Sequence, residues 1–303
     1  MTVHQFTPSH YHTTIGPHEP VLTIASGDHV ITTTVDARGY DQSGKQVTAP
    51  GNPQTGPFFV EGAEPGDILA VSIHHLQPNR PRGWTATLLA ANVVDPPVVR
   101  QLPTSTDIAS WEIHPATHTA HLISEQNQYR QLTVPLQPML GCFGVAPAGG
   151  QAISTATSGP HGGNMDYRHF GTGARILFPV FVPGALFHLG DGHAAQGDGE
   201  IVGTGIEISM DVEFSVQVIK RSRPISWPRA YINGFHCTIG NARPLDQALQ
   251  HATTELFHWL LEDGFNPHEA SLLLGQAITY DIGNVFDPAY TVVAKLHEQF
   301  LAT

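Results

Sequence analysis

The stretch Ile206-Glu-Ile-Ser-Met-Asp-Val-Glu-Phe-Ser-Val-Gln-Val218 alternates apolar and polar side chains without a break. Successive side chains of a β-strand point to opposite faces, so this period of two predicts a long strand with one apolar and one polar face. Such one-sided strands are typical of antiparallel sheets, because strands of parallel sheets are usually apolar on both faces. The acids of the stretch, Glu207, Asp211 and Glu213, are accordingly interpreted as its solvated face.

Further strands are predicted on both sides of this stretch. Residues 68–73 form an apolar run after Gly66-Asp67, and residues 174–182 and 185–189 flank a tight Pro183-Gly184 connection. A last strand is predicted over residues 290–296. The 30 glycines and 24 prolines fit a chain with many turns between short strands.

Helical spacing appears only towards the C-terminus. Leucines after Pro244 recur at helical intervals and predict a helix that ends near Gly264: Leu245, Leu249, Leu256 and Leu260. A second helix is predicted from Asn266, with proline at its first position and Glu269 completing a capping box. The expected fold is mainly β, a β-sandwich-like antiparallel body with two helices near the C-terminus.

The expected organisation is a β-rich body over residues 1–220 that carries the functional motifs. Residues 221–303 are expected to add a loop, two helices and a final strand packed on the same body, within one domain overall. The stretch 221–241, rich in aromatic residues and proline, is interpreted as a long loop or linker.

Composition excludes several classes of partner. The net charge of −12 and the lack of a Lys/Arg-rich run argue against nucleic acid. No apolar run approaches the roughly 20 residues that span a bilayer. Residues 1–10 do not resemble a signal peptide, and two cysteines give no disulfide framework, so a cytoplasmic protein is expected. The 19 histidines outnumber the 14 lysines and arginines, which supplies many imidazoles for metal binding or proton transfer.

Ionisable residues are concentrated among glycines between residues 158 and 207. The pairs Asp191-x-His193 and Asp198-x-Glu200 are each spaced two apart, so an extended backbone would direct both members of a pair to one side. A mixed set of imidazoles and carboxylates suits zinc or another divalent cation. The same Gly-Asp-Gly-Glu sequence is also common in hairpin turns, where it serves only the backbone.

These motifs also carry a resemblance to a known family. The chain resembles the acetamidase/formamidase family in Asn52-Pro-Gln-Thr-Gly-Pro57 and the following Val60-Glu-Gly-Ala-Glu-Pro-Gly-Asp67, and in Pro138-Met-Leu-Gly141 with Gly144-Val-Ala-Pro147. The most specific block is Gly159-Pro-His-Gly-Gly-Asn-Met-Asp166 together with Gly190-Asp-Gly-His-Ala-Ala-Gln-Gly-Asp-Gly-Glu200. The resemblance implies a β-sandwich-like fold, hydrolysis of formamide or acetamide to carboxylate and ammonia, and a divalent metal. A small amide substrate and a homo-oligomer are the expected partners.

Candidate roles follow from the chemistry of amide hydrolysis. A metal polarises the carbonyl and activates water, and a carboxylate carries the proton to the departing nitrogen. His161, Asp191 and His193 are assigned as metal ligands, with Asp36 as a fourth. Zinc is the expected metal, with calcium as the alternative. Glu200 is assigned as the proton carrier and Glu61 as its reserve.

Three rival interpretations remain. The Gly-x-Ser-x-Gly elbow of serine hydrolases is absent, and Cys142 is interpreted as a small core residue, not a nucleophile. The spacing His161-x4-Asp166-x2-His169 faintly resembles that of metal-dependent formamidase/cyclases. A calcium-dependent carbohydrate-binding β-sandwich without catalysis is the third interpretation, although aromatic residues make up only 8% of the chain.

Overall fold

Two packed β-sheets form the centre of the molecule in the computed structural model, which describes residues 1–104, 107–124, 132–220 and 224–301. The larger sheet has nine mostly antiparallel strands, in the spatial order Val3–Gln5, His29–Thr33, Met210–Ile219, Ile68–Pro78, Arg175–Pro179, Arg229–Ile232, Phe235–Ala242, Tyr290–His297 and Thr279–Asn284. The long strand that the alternating stretch predicts lies inside this sheet, paired with His29–Thr33 and Ile68–Pro78.

The second sheet has six strands and contains most of the glycine-rich motifs. Its order is Ser158–Gly159, Gly162–Asn164, Met139–Gly144, Phe187–His193, Gln54–Val60 and Leu22–Ile24. Two smaller sheets complete the β structure: Thr133–Pro135, Thr119–Ile123, Ile108–His114 and Arg82–Ala86 in one, and Ile153–Ser154 with Thr14–Ile15 in the other.

The main core fills the space between the nine-stranded and six-stranded sheets. Phe214 of the larger sheet contacts Phe58 and Phe187 of the smaller one, with ring centroids 5.3 Å apart in both pairs. Side chains alternate along Ile68–Pro78, so Leu69 and Val71 enter this core while Ile68 and Ala70 face the other side of the sheet. The expectation of a mainly β, sandwich-like fold is confirmed.

The helices cover that other side. Leu245–Glu262 and Pro267–Ala277 pack their buried residues on the strands through a second apolar cluster. The capping box at Asn266 and Glu269 is present as predicted. A short helix, Pro96–Val99, and four 3-10 turns complete the helical structure of the described residues: Ala91–Val93, Ala148–Gly150, Asp198–Glu200 and Glu298–Phe300. None of the described helices is long and apolar enough to cross a membrane.

The prediction of a long loop or linker over residues 221–241 was wrong. Within 221–241, of which residues 221–223 lie outside the described part, the structure has the antiparallel strands Arg229–Ile232 and the start of Phe235–Ala242. These strands and Tyr290–His297 join the same sheet as strands from before residue 220. The Pro183-Gly184 connection links two strands as predicted, and these strands, Arg175–Pro179 and Phe187–His193, belong to different sheets.

Candidate active site

Six ionisable side chains converge at one end of the sandwich. They fall into three overlapping groups of three, in each of which one potential ligand atom per residue lies within 4.8 Å of the others. The groups are Asp166, Asp191 and His193; His193, Glu200 and Glu207; and Asp166, Glu200 and Asp287. Two donors bound to one zinc ion at 2.0–2.3 Å lie at most roughly 4.6 Å apart, so the donor separations in each group are close to what one shared cation requires.

His193 lies at the centre of this cluster and is completely buried. Its Nδ1 atom is 2.8 Å from Gln196 Oε1, and the amide group of Gln196 is oriented by its Nε2, which donates to the Asp166 carbonyl at 2.6 Å. Nδ1 therefore carries the proton, and Nε2 is directed towards the acids. A hydrogen bond of this kind is what orients metal-ligating histidines.

Two carboxylates approach His193 Nε2. Glu207 Oε1 lies 2.8 Å away and Asp191 Oδ1 lies 3.5 Å away. Nevertheless, His193 Nε2, Glu207 Oε2 and Asp166 Oδ1 are buried and have no geometrically acceptable hydrogen bond within the described chain. An unprotonated nitrogen beside carboxylate oxygens is repulsive unless a proton or a metal ion lies between them. The donor set therefore fits a divalent cation.

The pKa shifts show the same demand for positive charge. Burial, followed by the charge of a neighbouring acid, raises the pKa values of Asp166 and Glu200 well above their usual range. Burial also raises the pKa of Glu207 to about 7 and that of Asp287 to about 6. Burial alone would lower the pKa of His193, but the charges of Glu207 and Asp191 outweigh it and raise that pKa well above its ordinary value.

The backbone is strained where it presents these acids. Asp166, Asp191 and Glu200 all have positive φ, at 45°, 58° and 48°. Residues other than glycine adopt this left-handed region at a cost of roughly 1–3 kcal/mol each when the surroundings enforce it. Three such residues in one cluster are characteristic of functional sites, where side-chain direction takes precedence over backbone preference.

Glycines bring neighbouring backbone close to the cluster. A Cβ atom on Gly141 would lie against Asp166 Oδ1 and 2.6 Å from Asp191 Oδ2, and one on Gly205 would lie 2.5 Å from His193 Nδ1. Both are well inside normal contact distance, so these two positions leave room only for hydrogen. The glycine richness of the motifs thus has a steric reason beyond turn formation.

Of the residues assigned from sequence, Asp191, His193 and Glu200 lie together in the cluster. His161 does not belong to any of the three groups. It is buried beside Gly159 and Gly163, and burial lowers its pKa to about 4. Its Nε2 has no partner among the residues described.

Asp36 and Glu61 also lie outside the cluster. The Asp36 carboxylate forms an ion pair with Arg80 and accepts from Trp84 Nε1 and from two backbone N–H groups. Its oxygens are therefore already occupied by protein donors. Glu61 is solvent-exposed in the turn after Gln54–Val60. Asp198, the expected partner of Glu200, points outwards with 63% of its side chain exposed.

Three members of the cluster were not predicted from the sequence. Glu207, interpreted as solvated, is only 2% exposed, because the segment before the regular strand begins at Met210 lies between Arg82–Ala86 of the four-stranded sheet and Phe187–His193 of the six-stranded sheet. There Glu207 pairs on one side with Trp84 and on the other with His193. Asp166 is the last residue of the motif Gly159-Pro-His-Gly-Gly-Asn-Met-Asp166, but it was not assigned as a metal ligand from the sequence. Asp287 follows the strand Thr279–Asn284, which was not predicted.

Cys142 lies in the central strand of the six-stranded sheet and is completely buried. Burial, with the charges of Asp191 and Asp166 adding to it, raises the pKa of its thiol well above the ordinary value. A thiol that does not ionise is a poor nucleophile. This environment supports the interpretation of Cys142 as a core residue.

Comparison with known proteins agrees with this architecture. The Acetamidase/Formamidase family matches residues 9–150 and 148–296. The chain is 34% identical to an acetamidase from Yersinia enterocolitica of known structure, with a TM-score of 0.86 over 99% of this chain and 93% of that one. For an acetamidase from Bacillus halodurans the identity is 30% and the TM-score 0.82, over 98% of each chain.

A curated acetamidase from Mycolicibacterium smegmatis is 28% identical over 221 residues, which are 57% of this chain and 54% of that protein. The chain spans about half the length of the curated relatives it matches. The structural matches, by contrast, extend over nearly the whole of both chains. The family resemblance read from the glycine-rich motifs is thus confirmed, and this chain belongs to the acetamidase/formamidase family.

Proposed function

We propose that this protein hydrolyses a small aliphatic primary amide, formamide or acetamide, to a carboxylate and ammonia. The observation that carries the proposal is the buried His193 Nε2, held by Gln196 and facing carboxylates, in a chain whose named relatives are acetamidases and formamidases. Amide, water and the two products balance without any further reactant.

We assign a divalent cation, preferably zinc, to the group Asp166, Asp191 and His193. Asp166 Oδ1 has no hydrogen-bond partner in the described chain, and it lies with Asp191 Oδ2 against Gly141. One nitrogen and two oxygens are donors that zinc accepts readily, whereas calcium prefers oxygen alone. A divalent ion bound there supplies Lewis-acid polarisation of a carbonyl and activation of water.

Glu200 is the residue to which we assign proton transfer. Its Oε2 accepts a hydrogen bond from Asn284 Nδ2 at 2.7 Å, which leaves Oε1 to take a proton from water and pass it to the amide nitrogen. Its raised pKa favours a carboxyl group that holds this proton near neutral pH. Glu207, which forms a group with Glu200 and His193, is the second candidate for this role.

Two pockets flank the cluster. One of about 480 Å³ is lined by Asp36, Arg80 and Trp84, and one of about 410 Å³ includes Gln196 and Gly205. We assign substrate entry to the second, because Gln196 hydrogen-bonds His193 and Gly205 packs against its ring.

Ammonia release tests this function. Metal-free protein and protein loaded with zinc, manganese or calcium should be assayed with formamide, acetamide, propionamide and urea, alongside metal analysis. We expect zinc-dependent release of ammonia from the short amides. Stoichiometric calcium without turnover would instead support a carbohydrate-binding module. No turnover of any short amide by metal-loaded protein would refute the proposal.

We further propose a cytoplasmic homo-oligomer. Both cysteines are free and buried, which suits a reducing compartment. The exposed apolar residues Ile201, Ile282 and Phe286 lie around the Glu200 turn and are suited to a subunit contact. Light scattering coupled to size-exclusion chromatography would detect the assembly, and a monomer at micromolar concentration would contradict it.

A further inference from the structure

Asn284 is completely buried at the end of the edge strand Thr279–Asn284. Alternation along this strand exposes Tyr280 and Ile282, each by 39%, and would expose Asn284 as well. Between Ile282 and Asn284, however, the pairing with Tyr290–His297 shifts register. Such a bulge redirects the following side chain, and here it turns Asn284 inwards to the acids.

The orientation of the Asn284 amide is determined by the turn that follows. Its Oδ1 accepts hydrogen bonds from the backbone N–H groups of Phe286, at 2.7 Å, and Asp287, at 2.9 Å. Only the carbonyl end of an amide can accept, so the NH2 end must point the other way. The turn thus decides that Asn284 presents donors to the cluster.

Three carboxylates meet at that NH2 group. Asn284 Nδ2 lies 2.7 Å from Asp166 Oδ2, 2.7 Å from Glu200 Oε2 and 3.0 Å from Asp287 Oδ2. These acids come from three separate segments of the chain, and like charges this close repel each other. Asp287 has a further donor, Asn164 Nδ2, at 2.5 Å. Asp166 and Glu200 have no second side-chain donor among the hydrogen bonds of the described residues.

We infer that Asn284 is the positioning residue of this site: it binds Asp166 through Oδ2, so that Oδ1 is directed to Asp191 and His193. Two observations fit this arrangement. Asp166 Oδ1 has no hydrogen-bond partner in the described chain, and it lies beside Gly141 together with Asp191 Oδ2. Asn284 at the same time fixes Oε2 of Glu200 and leaves its other oxygen available. The inference rests on the metal centre proposed above. Within that centre, Asn284 determines which oxygen of Asp166 is available to the metal.

Zinc affinity is the direct test, measured by competition with a chromophoric chelator on folded protein. For Asn284→Ala we expect an affinity 10–100-fold below wild type, as for other groups that orient metal ligands. Asn284→Ser should also lower the zinc affinity. Its hydroxyl can still accept from the turn, but it offers the carboxylates one donor in place of two. Asn241→Ala is the matched control. Asn241 is also buried, but its amide contacts the Gly159 carbonyl and Thr291, not an acid.

Wild-type zinc affinity in both Asn284 variants would overturn the inference and leave the metal centre intact. An equal loss in Asn241→Ala would overturn it too, since general destabilisation would then explain the effect. If the Asn284 variants do not fold, a crystal structure of zinc-loaded wild type decides: we expect Asp166 Oδ1 on zinc and Oδ2 on Asn284. Asp166 bound through both oxygens would contradict us. Failure of wild type to bind zinc would refute the metal centre itself.

Discussion

His193 Nε2 and Glu207 Oε1 lie 2.8 Å apart in the interior, where Glu207 has no other side-chain partner among the described residues. The two residues face each other across neighbouring backbone segments that form an isolated antiparallel bridge. A buried imidazole and carboxylate at this distance need a positive charge close to both, either a proton or a metal ion. This relationship makes the cluster testable by substitution.

Removing a ligand should remove the metal. We expect His193→Ala and Asp191→Ala each to lose zinc and ammonia release together, because Nε2 and the Asp191 carboxylate converge within 3.5 Å. Glu200→Gln should lose turnover but retain zinc, since it lacks only the proton carrier. Metal content and activity, measured on the same samples, separate the two outcomes. A chelator should reproduce the ligand variants in wild type, and a His193→Ala protein that binds zinc and remains active would disprove the assignment.

The choice between the overlapping groups predicts a contrast between two acids. Asp166→Asn should lose zinc, because its free oxygen is assigned to the ion, whereas Glu207→Gln should keep stoichiometric zinc. Both changes preserve side-chain volume and replace an ionisable carboxyl group with a neutral amide, so each serves as the other's control. Equilibrium dialysis gives the comparison. The reverse result would move the ion to the group His193, Glu200 and Glu207.

Adding one methyl group should damage the site without touching a ligand. In Gly141→Ala the new Cβ would press on both Asp166 Oδ1 and Asp191 Oδ2. We expect zinc affinity to fall at least tenfold, the lower end of what displaced ligand-orienting groups cost. Gly197→Ala is the control, because nothing lies within 4 Å of its Cβ position and its φ of −81° suits alanine. Equal zinc affinity in the two variants would contradict the steric argument.

Cys142→Ser should retain most of the activity, since the thiol is buried and its raised pKa keeps it protonated. The new hydroxyl is completely buried and is expected to lower the free energy of unfolding by about 1–3 kcal/mol if it finds no hydrogen-bond partner. Turnover should therefore be compared at low temperature, with the fold checked by circular dichroism. Loss of turnover in folded protein, or covalent labelling of Cys142 by substrate, would show that a thiolate participates.

A buried ion network joins the helix Leu245–Glu262 to the nine-stranded sheet. Arg229 is 1% exposed and binds Glu255 at 2.6 Å and Glu262 at 2.8 and 2.9 Å. Arg229→Met would leave Glu255 charged and buried, and we expect a loss of about 3–5 kcal/mol in the free energy of unfolding. Lys220 is exposed and pairs with Asp67. Lys220→Met should lower the free energy of unfolding by less than about 1 kcal/mol. Denaturant titration of both variants measures the difference, and equal effects would contradict the prediction.

The sequence alone determined the class of fold, the two helices and the family. Alternation with a period of two and leucines at helical spacing are local properties, and the Asn266 cap is completed within four residues. The glycine-rich motifs likewise pointed to Asp191, His193 and Glu200, because these residues lie near one another along the chain. Local order and motif content can be read without knowing which segments meet.

The tertiary structure decided the rest of the site. Asp166, Glu207 and Asp287 reach His193 from separate segments, and Asn284 joins them only because a register shift turns its side chain inwards. Alternation placed Glu207 in solvent, yet Glu207 is 2% exposed in a segment that pairs along both edges with neighbouring strands. Whether an acid is solvated or a metal ligand depends on what packs over it, and that is set by long-range sheet pairing which no local pattern encodes.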